Sequence, residues 1–481
     1  MPFNSLIFFP FAAFFFVVYF SLRGRSRIFW VVACSYFFYG WWDWRFTSLL
    51  LLSTAIDYKI PLMIEAARGN QSRQKVLLAI SLTANLSLLG FFKYFNFFID
   101  SAYELLNAFS PIGEPRLLEI ILPVGISFFT FQTMSYSIDV YRGTIDRAER
   151  SLLHFACYVA LFPQLVAGPI VRARDLLPQL HIDHKLDWSR IGRALELIAW
   201  GYFLKCGLGD TAATVVDPRF AAPEAYGSLA HIIGTWAFVV QMYGDFAGYT
   251  LIAIGLGKLM GFEFPANFNT PYFSKSFSEF WTRWHISLSS WVKDYVYYPL
   301  ALRYVRKGGG KLNDFKPHIY SMVLMGLWHG AAWTFVLWGL IHGIYLVLER
   351  FVTPLYRKAG ALFKLPKWTL TLGAIGCVFT LMSLNMILFR AESLEHALRI
   401  YKIIFGFEDM SLHMSEQLIG ITKTFILATI VFGVDFLSLN KGVRTTFFSR
   451  PILRVICMAC VSILLLFLGT FEGASFLYFQ F

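Results

Sequence analysis

Charge is scarce in this sequence. Lys, Arg, Asp and Glu make up 15% of its 481 residues, where soluble globular chains carry about 25%. So few charges cannot cover a solvated surface, and the apolar excess has to face lipid. Zinc-spaced Cys/His clusters are missing as well. The six cysteines are Cys34, Cys157, Cys206, Cys377, Cys457 and Cys460, and all but Cys206 lie well inside apolar runs. They read as small core hydrophobes rather than as a disulfide framework or a metal site. No GxxxxGK(S/T) phosphate loop occurs, and neither HExxH nor GxSxG occurs. ATP-driven transport, zinc proteolysis and serine-hydrolase chemistry are therefore set aside. With no repeat period and no low-complexity linker, residues 1–481 read as a single domain.

What is abundant is apolar and aromatic. Hydrophobic residues reach 57%, including 51 Phe, 23 Tyr and 14 Trp, a composition suited to membrane cores and interfacial belts. Spanning a bilayer takes about 20 apolar residues. Runs near 6–22, 27–42, 46–64, 76–98, 119–139, 151–170, 190–206, 229–250, 319–347, 370–389, 422–439 and 453–470 approach that length. The expected fold is an all-α, polytopic integral membrane bundle of about 11–13 membrane segments, some re-entrant. The run from Leu6 to Leu22 has no basic residue before it and no small-residue cleavage site after it, so it reads as a retained helix rather than a signal peptide.

The formal charge of +12 resides in short loops rather than on a polar domain, which argues for the positive-inside rule and against a nucleic-acid partner. Arg23, Arg25 and Arg27, then Arg68, Arg73 and Lys75, then Arg142, Arg147 and Arg150 fall on one side of the expected membrane. That side is taken as cytoplasmic. The acidic loop around Asp100, Glu104, Glu114 and Glu119 lies outside, and both termini are expected outside. Residues 251–300 interleave Trp281, Trp284, Trp291, Tyr295 and Tyr298 with Arg283, His285, Lys293 and Asp294, a mixture that suits helices lying at the interface or dipping into a cavity. Arg303, Arg306, Lys307 and Lys311 belong to a basic, Gly-rich loop expected to be cytoplasmic.

Polar groups inside a membrane are costly and are functional candidates by default. His329 stands about ten residues into the 319–347 run, roughly 15 Å deep at the helical rise. Around it Gly326, Gly330, Ala331 and Ala332 admit a close backbone or ligand; the alternative is a histidine that merely packs helices. His342, 13 residues on, cannot share a site with His329 unless the helix breaks, and it reads as structural or interfacial. His285 offers a second imidazole for proton transfer or for orienting an acyl group, or else a solvated interfacial side chain. Asp245, in the stretch from Gln241 to Tyr249, needs a partner: an Arg or His, a cation or a substrate.

These stretches resemble the membrane-bound O-acyltransferase family, in its bacterial alginate-acetylation branch. The resemblance runs over almost the whole chain. It covers Leu122–Phe128, Ser135–Arg142, Phe162–Ile170, the Asp245 stretch, Trp284-His285, Trp328-His329-Gly330 and Phe389–Glu392. Ala247 and Leu251 depart from it, since the family commonly has Ser at the first and Asp or Asn at the second. The resemblance implies helices around a central cavity or tunnel, with His329 and His285 catalytic. Gln241, Asp245, Arg283 and Trp328 are the candidates for cavity and substrate contacts. It implies no metal and no bound cofactor, with acetyl-CoA as the cytoplasmic acyl donor, and a bacterial inner-membrane location. A separate periplasmic or extracellular O-acetyltransferase would be the partner, serving a polysaccharide acceptor. The other readings are a transporter or flippase of a polysaccharide or lipid intermediate, or the same family acting on peptidoglycan or teichoic acid. The aromatic tail from Phe476 to Phe481 holds one phenol, Tyr478. It is either an interfacial anchor or an acyl relay through the Tyr478 hydroxyl.

Overall fold

A computed structural model describes the chain apart from residues 111–112, 114–116, 167, 307–314, 408–409, 411–417, 440–449, 472–475 and 478–481. Among the described residues every regular element is helical, as backbone groups in lipid require when no sheet can close. Among the described residues, six helices are long and apolar enough to cross a membrane: Trp44–Ala66, Gln71–Asn107, Ser228–Met260, Trp333–Leu362, Lys367–Arg390 and Leu418–Ser438. The chain is a multi-pass, all-α membrane protein. Several other expected runs form shorter helices, among them Phe8–Ser21, Gly24–Gly40, Ile126–Arg142 and Leu152–Ala160.

The expected single segment over 319–347 is in fact two helices, Lys316–His329 and Trp333–Leu362. Gly330 and Ala332 take extended backbone and break it. The two halves then fold back closely on each other. A Cβ on Gly326 would meet the Phe335 carbonyl and come within 3.1 Å of the Gly339 Cα. Glycine is thus what lets these backbones touch.

Contacts divide the chain into two compact units, Met1–Ile198 with Ile252–Pro265, and Ala199–Leu251 with Ala266–Phe481. The first unit pairs a buried carboxylate within itself. Asp57 is fully buried and accepts hydrogen bonds from Ser81 Oγ at 2.6 Å, Asn85 Nδ2 at 2.7 Å and Ser137 Oγ at 3.0 Å, as a buried carboxylate must to persist. The second unit contains every described candidate site residue.

The cysteines are free thiols. Cys34, Cys157 and Cys206 are buried, while Cys377 and Cys460 lie on outer, apolar helix faces rather than in the core. Cys457 and Cys460 have the Cys-x-x-Cys spacing on the apolar Pro451–Leu468 helix and are not bonded to each other.

Candidate active site

The Lys316–His329 helix ends on His329, so the imidazole sits where the chain turns out of helix. The ring is buried, with Trp328 at 4.9 Å, Phe389 at 5.1 Å and Trp338 at 5.2 Å between centroids. It lines a small cavity walled by aromatic and thioether side chains, among them Met242, Tyr272, Trp284, Trp338, Met382 and Met386. An apolar wall of this kind strengthens any hydrogen bond made inside it.

His342 lines the same cavity, against the expectation that the two histidines stand apart. The break at Gly330–Ala332 turns the chain back, so distance along one straight helix no longer applies. The two imidazoles share Trp338 as a ring neighbour, His329 at 5.2 Å and His342 at 4.6 Å.

His285 occupies a different setting. It is not among the cavity's lining residues; its ring lies 4.6 Å from Phe246 and 5.9 Å from Trp328, whose indole in turn adjoins His329. The residue separates two short helices, Phe277–Arg283 and Ile286–Val292, with φ of +42°. A non-glycine residue in the left-handed region is uncommon and clusters at functional positions. Asn267 holds it there. Asn267 Oδ1 accepts from the Ser287 N–H at 3.1 Å and the Ser287 hydroxyl at 2.8 Å, and lies 3.2 Å from His285 Nδ1. A backbone N–H can only donate, which fixes the amide orientation. His285 Nδ1 therefore carries a proton, and the lone pair of the neutral ring is on Nε2.

Asp245 has found its partner, and it is neither Arg nor His. Lys205 Nζ lies 2.5 Å from Asp245 Oδ1 and 2.7 Å from Asp210 Oδ1, all three side chains being at most 4% exposed. A widened helical turn over Phe203–Gly209 carries Lys205. Gly248 lets it approach, since a Cβ there would stand 2.6 Å from the Lys205 nitrogen. The second Asp245 oxygen accepts from the Leu477 N–H at 2.8 Å, and Phe476 stacks on Tyr249 at 4.5 Å. Phe476 and Leu477 are thus buried in this unit and are not a surface anchor. Tyr478 lies outside the described residues, as do Lys307 and Lys311.

The other candidates are dispersed. Gln241 is buried one helical turn before Asp245, and its Oε1 has no hydrogen-bond partner among the described residues. Arg283 is not among the cavity's lining residues: it binds Glu279 at 2.7 Å and Thr270 Oγ1 at 2.8 Å, bracing the loop that carries Asn267. Trp328 is buried between the two candidate histidines. No group of three His, Cys, Asp or Glu side chains converges among the described residues. Reading the sequence missed Lys205, Asn267 and Trp338. Lys205 carried a usable signal, being a cation inside an apolar run; Asn267 and Trp338 carried none.

Residues 145–389, which include both histidines and Asp245, match the model of the membrane-bound O-acyltransferase family. The chain is 37% identical over 461 residues to the "probable alginate O-acetylase AlgI" of Azotobacter vinelandii, covering 94% of this chain and 87% of the relative. It is 36% identical over the full length of both chains to the protein of the same description in Pseudomonas putida. The chain belongs to the membrane-bound O-acyltransferase family. It is an O-acyltransferase, and the transporter reading gives way to that membership. A peptidoglycan O-acetyltransferase of Helicobacter pylori is 33% identical over 86% of this chain and 82% of its own length.

Proposed function

We propose that this acyltransferase takes an acetyl group from acetyl-CoA on the cytoplasmic side of a bacterial inner membrane. The group then passes outward for O-acetylation of an exported polysaccharide. The observation that carries this reading is His329, buried at a helix break and lining an apolar, aromatic-walled cavity. Such a histidine accepts a proton from the attacking hydroxyl and returns it to the leaving thiolate. His285, with its lone pair on Nε2, serves transfer from beyond Trp328. The relatives named for alginate O-acetylation favour a polysaccharide acceptor, and the one named for peptidoglycan keeps a second cell-envelope polymer in view. A periplasmic O-acetyltransferase completes delivery, and Tyr478 is the relay that would carry the acyl group as an ester.

The test is polymer acetylation in a strain carrying His329→Ala. Acetylation should be lost while the protein still inserts, and His329→Gln should not restore it, because an amide cannot take up a proton at neutral pH. Normal acetylation in either strain overturns the reading. Cysteine labelling at positions 73 and 306 from the cytoplasm only, and at 114 from outside only, tests the orientation.

A further inference from the structure

Among the described residues, three hydrogen-bonding nitrogens of the His329 cavity's lining side chains have no partner. Trp338 and His342 both line it, with side chains buried to 3% and 1% exposure. Neither Trp338 Nε1 nor either ring nitrogen of His342 has a hydrogen-bond partner among the described residues. Burying one unpartnered donor is costly, and burying two side by side more so. The two residues are four apart on the Trp333–Leu362 helix, so they share one face, and their rings meet at 4.6 Å. Met382, Met386 and Phe389, which line the same cavity, have no strong acceptor to offer them. Such a pair of donors fits an oxygen brought in by a ligand.

We propose that Trp338 Nε1–H and a ring N–H of His342 together hold the carbonyl oxygen of the acyl thioester during transfer. The inference rests on reading the His329 cavity as the acyl-transfer site. In the step, the acceptor oxygen attacks the carbonyl carbon and its proton passes to His329. The carbonyl electron pair moves onto oxygen, where the two donors stabilise the developing charge. That pair then re-forms the carbonyl as the carbon–sulfur bond breaks, and the leaving thiolate takes the proton back from His329. The donors act most strongly on the charged intermediate, so they should lower the barrier more than they tighten donor binding. His342 is then a catalytic residue in its own right, and its imidazole need not titrate.

The experiment uses full-length protein in its native membranes, with acetyl-CoA as the probe and thiol release as the readout. Trp338→Phe keeps an aromatic side chain, though a smaller one, and removes the N–H; His342→Leu removes both nitrogens; His342→Gln keeps a donor. Trp338→Phe and His342→Leu should each lower kcat by about 100-fold or more, with KM for acetyl-CoA within about threefold of wild type. His342→Gln should recover part of the loss. The melting temperature of His342→Leu should not fall, because an apolar side chain replaces an unpartnered polar one. A side chain kept only for packing would give the reverse pattern. Wild-type kcat in Trp338→Phe and His342→Leu, or a change confined to KM, refutes the proposal while an inactive His329→Ala leaves the site reading intact. An active His329→Ala removes both. Should His342→Leu fail to accumulate, Trp338→Phe decides: lost kcat supports the proposal and wild-type kcat refutes it.

Discussion

Replacing Lys205 by Met should be far more damaging than neutralising either carboxylate it binds. The ammonium stands 2.5 Å from Asp245 and 2.7 Å from Asp210, with no side chain of the three more than 4% exposed. One cation faces two carboxylates, so Lys205→Met leaves two uncompensated acids in one buried site. Removing one partner of a buried ion pair costs about 3–5 kcal/mol, against a total stability of about 5–15 kcal/mol for a typical domain. Asp245→Asn instead leaves a balanced Lys205–Asp210 pair, and its amide oxygen can still accept the Leu477 N–H. Its cost should be about 1–2 kcal/mol. Thermal unfolding followed by size-exclusion in detergent would separate them: a large fall in melting temperature for Lys205→Met and a small one for Asp245→Asn. Combining Lys205→Met with Asp210→Asn and Asp245→Asn should regain most of the loss, since no buried charge remains. A Lys205→Met protein as stable as wild type, or less perturbed than Asp245→Asn, would refute the reasoning.

Other expectations concern the histidines, the helix hairpin and the tail. Asn267→Ala should lower turnover by about 10–100-fold at near-normal expression, because it frees His285 Nδ1 and the Ser287 N–H together. Asn267→Asp retains an accepting oxygen and should lose less; equal turnover in the two variants would remove Asn267 from the mechanism. Gly326→Val should cost about 2 kcal/mol or more through overpacking against Phe335 and Gly339, read as reduced melting temperature and yield. Tyr478→Phe keeps the ring and removes the hydroxyl. If Tyr478 carries the acyl group, that variant should be as inactive as His329→Ala, and mass spectrometry of the wild-type C-terminal peptide should show an acetyl mass that His329→Ala lacks.

The sequence alone determined the class of protein and nominated positions for its chemistry. Scarce charge and long apolar runs are properties of composition, so they survive without coordinates, and a histidine amid small residues in such a run identifies itself by its cost. What only the tertiary structure decided is which of these groups meet. The break at Gly330–Ala332 brings His342 into the His329 cavity, and no period along the chain announces a return of that kind. Arg283, promising among its aromatic neighbours, instead braces a loop. Lys205 and Asp245 are 40 positions apart on different helices, and glycine contacts let them pair. Asn267 becomes informative only when its amide is seen gripping both His285 and Ser287. Burial and hydrophobic patterning are local, short-range properties that a sequence can display. The pairing of buried polar groups depends on how helices distant in sequence cross, and that is settled only when the chain has folded.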